Sequence, residues 1–183
     1  MKTRAFLMTA ALAFSAGAAW TAAADEGASQ PNGFMDVWGR SDPHACARGQ
    51  AQLDRNTRTA IAYYTLAFNA GEPRLAVQKY VGVDPNGNKT YTQHNPFAQD
   101  GPEAFIAFVE FFKGLFPDLN VDIKRTIAQC DLVMTHAHIT TSATDLGNAA
   151  MDIFRFDRHG KIVEHRDAVQ PVEANSANDN TQF

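Results

Sequence analysis

The sequence predicts an α+β fold: a cone-shaped, curved antiparallel sheet wrapped around N-terminal helices. Three observations carry this. Apolar residues recur at helical spacing over residues 48–81 and again after residue 102. Beyond Pro117 the apolar period falls to two. Turn signals then divide that second half into four runs.

The chain opens with Lys2 and Arg4, an uncharged Ala-rich run over 5–20, and Ala22-Ala23-Ala24 before Asp25. This is the pattern of a secretory signal peptide over residues 1–24. An uncleaved anchor is the alternative, although the run is short for a membrane span. The expectation is a periplasmic or secreted protein, without stable membrane insertion after cleavage. Residues 25–47 are polar and rich in Gly, Pro and Ala, and read as a flexible arm. The domain is expected over 48–170, and a polar, mobile tail over 171–183. The whole chain of 183 residues leaves room for one domain after processing.

Leu53, Ala60, Ile61, Tyr64 and Phe68 define a helix over 48–70, ended by Gly71. Pro73 starts a second, short helix over 73–81. Asp84-Pro85-Asn86-Gly87 centres a loop, and residues 90–94 form a short extended piece ended by Asn95-Pro96. Asp100-Gly101-Pro102-Glu103 reads as a capping box for a third helix reaching about residue 112. Phe105, Phe108, Val109 and Phe112 make its apolar stripe. Val121, Ile123 and Ile127 mark the first long strand by alternation. Residues 132–142, 148–156 and 161–169 follow, the last two joined by the turn Asp157-Arg158-His159-Gly160.

A formal net charge of −4, more negative once Lys2 and Arg4 are removed, argues against nucleic-acid binding. Cys46 and Cys130 are the only cysteines. They can pair in an oxidising compartment, but sequence separation does not show whether the sulfurs meet.

Several strings resemble the SnoaL-like branch of the nuclear transport factor 2-like superfamily. They are Tyr91-Thr92-Gln93-His94-Asn95-Pro96, Asp100-Gly101, and Gly160-Lys161-Ile162-Val163-Glu164-His165. The resemblance covers roughly residues 55–170. It implies a cone fold and a homodimer formed through sheet faces. It also implies a cavity carboxylate for acid/base catalysis of aldol closure or isomerisation, with no metal or cofactor. Arg166 departs from the family's usual Glu-His-Trp-Asp string, where a Trp stands.

His165 and Asp167 are two apart on a strand and so share a face. Asp167 is the first candidate for a general base, its pKa expected to rise in a dry cone. His165 suits a proton shuttle or an orienting partner. Asp152, on the neighbouring strand with Phe154 and Phe156, and His94, before Asn95-Pro96, complete the candidate catalytic set. Phe108, Phe112 and Phe154 are the candidate substrate-binding residues, since pocket walls are mostly apolar. Each has a plain alternative: core packing for the rings and His165, and strand-end hydrogen bonding for the carboxylates. His136 and His138 share a strand face, but a metal needs a third or fourth ligand that no motif supplies. No phosphate-cradling loop or nucleophile elbow is present. The expected partner is a small molecule: as substrate of an enzyme acting on a carbonyl compound, or as ligand of a binding protein using the same cone.

Overall fold

The computed structural model describes residues 45–183. The expected signal peptide, and the arm as far as residue 44, lie outside the described residues. The end of the arm is a 3-10 turn, Ala45–Arg48, held by a disulfide between Cys46 and Cys130. No helix of the described residues is long and apolar enough to cross a membrane.

Helix α1 spans Gln50–Tyr64, and its buried Asn56, Ala60, Tyr63 and Tyr64 lie on one stripe. The chain then continues as a π-helical turn, Thr65–Asn69. That turn delivers Asn69 to the sheet. Asn69 Nδ2 donates to the Val121 carbonyl at 3.0 Å, and Val121 N donates to Asn69 Oδ1 at 2.8 Å. Helix α2, Pro73–Tyr80, starts on its proline. Helix α3 runs Pro102–Leu115 and buries Phe105, Ile106 and Val109. The expected capping box does not form. Gly101, at φ 94°, occupies the cap with no side-chain bond. Asp100 Oδ1 instead accepts from Gln93 N at 2.7 Å, pinning the strand before the helix.

The strands are β1 (Thr92–Gln93), β2 (Asn120–Gln129), β3 (Leu132–Thr140), β4 (Asn148–Phe156) and β5 (Ile162–Pro171). They form one curved, unclosed sheet in the order β1-β5-β4-β3-β2. Strands β2 to β5 are an antiparallel meander, and β1 adds to β5 in parallel. Helices α1 and α3 pack on the concave face. Tyr63 stacks on Phe105 with centroids 4.9 Å apart and meets Phe154 edge-on. Val133, Phe156 and Ile162 complete this core.

Two bulges decide which side chains enter it. The β2–β3 register shifts between Ile123 and Arg125. Beyond that point the inward parity passes to Thr126 and Ala128, and Ile127, expected inside, is 61% exposed. A second shift leaves Val163 as an extra residue in the β4–β5 hairpin, with Phe156 opposite Ile162 but Arg155 opposite Glu164. The turn itself is as the sequence predicts. Asp157 N donates to the Lys161 carbonyl at 2.8 Å, Asp157 Oδ1 accepts from His159 N, and Gly160 takes φ 74°.

Strand β5 reaches Pro171, and the tail beyond it is not free. The Phe183 ring lies 4.3 Å from that of His138 and 5.5 Å from that of His136, against the outer sheet face.

Candidate active site

The second bulge builds the site. Without it, the pairing of Phe156 with Ile162 would set Asp152 opposite Arg166. With it, Asp152 lies opposite Asp167, and Phe154 opposite His165. Opposed residues of an antiparallel pair share a face. Asp152, His165 and Asp167 therefore all point into the cone, with ligating atoms within 4.8 Å of one another.

They line a cavity of about 250 Å³ enclosed by the sheet, α1 and α3. Its wall is largely aromatic: Tyr64, Phe68, Phe105, Phe108 and Phe112, with Leu119, Val121, Ile139 and Val169. Gln93, Asn95, Asn148 and Thr141 add polar positions.

Tyr64 Oη donates to Asp152 Oδ1 at 2.8 Å and lies 2.9 Å from His165 Nε2. Burial, followed by the charge of Asp152, pushes the Tyr64 phenol well above its ordinary value, so it stays a proton donor. Thr135 Oγ1 donates to Asp152 Oδ2 at 3.2 Å, and His165 Nε2 is 3.2 Å from Asp152 Oδ1. On the other side of the ring, Gln93 Oε1 accepts from the backbone N of His94 and Asn95 at 2.9 Å. That fixes its amide, with Gln93 Nε2 and Oε1 at 3.1 and 3.2 Å from His165 Nδ1. The ring is clamped between Phe154 and Tyr91, stacked at 4.9 and 6.1 Å.

Asp167 is held differently. Asn95 Nδ2 reaches its two oxygens at 2.7 and 2.9 Å. Asn95 Oδ1 accepts from Phe97 N at 2.8 Å, which keeps the amide nitrogen toward the carboxylate. Asp167 is half-buried, whereas Asp152 is 2% exposed and satisfied by its neighbours. Of the two acids, Asp167 has the freer oxygens.

The other expected residues divide. Phe108 and Phe112 line the cavity. Phe154, fully buried, packs behind His165 instead of facing the space. His94 does not join the cluster. It is exposed, and its Nε2 meets Glu164 Oε1 at 2.8 Å on the outer face, because the residues flanking it, Gln93 and Asn95, take the inward positions. His136 and His138 also lie outside, bonded to Arg125 Nη1 (3.0 Å) and the Leu146 carbonyl (2.8 Å). A metal site drawn from the described residues would use Asp152, His165 and Asp167. Sequence reasoning missed Tyr64, Gln93, Asn95 and Thr135 as members of the site. Tyr64 sat on a helical stripe that reads as core. Gln93 and Asn95 stood in a noted string, as neighbours of a more eye-catching histidine.

The fold and this cavity define a class of small cone-shaped α+β proteins with a polar floor. The chain belongs to the SnoaL-like domain family, whose profile matches residues 60–165. It is similar to a Bacillus cereus protein provisionally named a polyketide cyclase: 20% identity, 70% of this chain and 80% of that one covered, TM-score 0.53. It is also similar to a Jannaschia protein provisionally named a SnoaL-like polyketide cyclase: 18% identity, 66% and 89% covered, TM-score 0.52. AclR of Streptomyces galilaeus, provisionally a hydroxylase, follows at 15% identity, 65% and 81% covered, TM-score 0.51. At these identities the likeness is one of fold. No curated protein matches the chain.

Proposed function

We propose that this protein is an exported acid/base enzyme acting on a small carbonyl compound without a cofactor. The convergence of Asp152, His165 and Asp167 on one aromatic-lined cavity supports this reading. Asp167 is the base. It takes a proton from the carbon next to the carbonyl, and the C–H electron pair becomes the enolate double bond. Asn95 aims the carboxylate. The Tyr64 hydroxyl and the His165 ring, positioned by Gln93, stand beside Asp152 and turn from that carboxylate to stabilise the developing oxyanion. Return of the proton to a different carbon completes an isomerisation. Attack of the enolate carbon on a second carbonyl, whose oxygen takes the proton back from Asp167, completes an aldol closure. The Cys46–Cys130 disulfide supports export. The outer sheet face, with Ile127 and Met151 exposed, suits a homodimer.

Deuterium uptake from heavy water at the α-carbon of a β-keto ester, followed by mass spectrometry, tests the chemistry. Wild-type protein should accelerate uptake and Asp167→Asn should not. Equal rates would remove Asp167 from the mechanism. A non-catalytic carrier is the second reading, favoured by the way internal hydrogen bonds satisfy Asp152. An unmodified small molecule co-purifying with the native protein would support it.

A further inference from the structure

The cavity holds two carboxylates and, against them, a single imidazole. Asp152 and Asp167 face each other across β4 and β5. No Lys or Arg is among the residues that line the space, and His165 is the one lining side chain able to carry positive charge. With either acid ionised, the lining is therefore never net positive. The arginines on the strands of this hairpin, Arg155 and Arg166, are turned to the other face, where Glu164 engages both.

The two acids are not equivalent. Asp152 accepts hydrogen bonds from Tyr64 and Thr135 and is sealed from water. Asp167 has the Asn95 amide alone among the hydrogen bonds of the described residues, and it is only half-buried. The rings of Phe105, Phe108 and Phe112 on α3 line the same cavity. An aromatic face attracts a cation as a carboxylate does, and both attractions strengthen where water is excluded. An anionic group entering the same space would lose its hydration and meet negative charge.

We propose that the cavity selects ligands with a flat apolar body and one positively charged nitrogen, the nitrogen seated on Asp167 and the body among the aromatic rings of the lining. Carboxylate and phosphate ligands are excluded by the same charge. This names the ligand class of the site described above. It rests on that cavity being the functional site, but not on Asp167 acting as a base.

The test is calorimetric titration of the purified protein at neutral pH with three probes of one shape: naphthylmethylamine, naphthylmethanol and naphthylacetate. The amine should bind at least about tenfold more tightly than the alcohol, and the acetate should be the weakest. In Asp167→Asn the alcohol should still bind, which shows an intact cavity, and the preference for the amine should fall to about twofold or less. Acetate binding as tight as the amine would overturn the proposal. So would equal binding of all three, or binding of none. The result is separable from the enzymatic reading. Loss of charge preference with α-proton exchange intact would sink this inference alone. Loss of exchange with charge preference intact would sink the acid/base chemistry alone.

Discussion

The two faces of the β4–β5 hairpin carry the same residue types and use them in opposite ways. On the outer face every acid meets a cation. Arg155 Nη1 pairs with Asp131 Oδ2 at 2.8 Å and its Nε with Glu164 Oε2 at 2.6 Å, while Arg166 and His94 also reach Glu164. On the inner face Asp152 opposes Asp167 with no Lys or Arg in the lining and only His165 to meet them. Like charges placed directly opposite in a sheet are destabilising. The outer arrangement holds the sheet together. The inner one sets two acids against one imidazole, a local conflict of the kind that marks a site shaped for a ligand. One residue of parity, supplied by the Val163 bulge, separates the two.

The largest expected effect compares neighbours on opposite faces. Asp167→Asn should lower turnover about 10²–10⁴-fold, the usual contribution of a general base. Arg166→Gln, one residue away but facing out, should leave kcat within about threefold, since its charge meets Glu164 outside the cavity. If Arg166→Gln were the more damaging change, the inner and outer roles would have to be exchanged.

Much of this contrast is legible in the sequence, but its decisive step is not. The helical stripes, the meander and the turn at Asp157–Gly160 follow from periodicity and turn chemistry. The two-residue spacing of His165 and Asp167 already puts them on one face. Whether Asp152 shares that face depends on the bulge, and Val163 looks like any strand valine. Ile127 is misplaced for the same reason, because the register shift after Ile123 reverses what alternation predicts. Tyr64 was hidden differently. A tyrosine on an apolar helical stripe reads as packing, and only the tertiary fold brings its hydroxyl within 2.8 Å of Asp152, 88 residues away.

The next effects belong to the structural side of the comparison and should spare the chemistry. Cys46 and Cys130 lie 84 residues apart, and the bridge ties the first turn to the β2–β3 connection. In the chain-entropy model its removal costs about 4.5 kcal/mol. Cys46→Ser should therefore shift the urea midpoint far down, while the fraction still folded keeps its proton-exchange rate. Asp131, beside that bridge, is 3% exposed and supports Arg155, which is itself 8% exposed. Asp131→Ala leaves a buried guanidinium short of a partner, and one of its nitrogens, Nη2, already lacks one. The expected loss is about 3 kcal/mol by urea denaturation. A loss below about 1 kcal/mol would show that the outer network is solvated rather than structural.

The smallest effect is a pH dependence, and its sign identifies the face. Burial alone would raise the Glu164 carboxyl. The hydrogen bond from Arg155, the charge of Arg166 and the contact with His94 outweigh it and hold the group below its ordinary value of 4.5. A carboxyl lowered on folding binds fewer protons in the native state than in the unfolded one. Its contribution is therefore complete above the unfolded value and is lost as pH falls from about 4.5 through the lower folded value. Glu164→Gln should cost about 1 kcal/mol at neutral pH and little at the acid end. Asp145, lowered by its hydrogen bonds to Thr141, adds a loss of the same sign in wild type and variant alike. The difference between the two urea profiles thus isolates Glu164. A difference that grew toward acid pH would mean that the carboxyl is raised by burial in the folded chain. The outer face would then share the uncompensated character of the cavity.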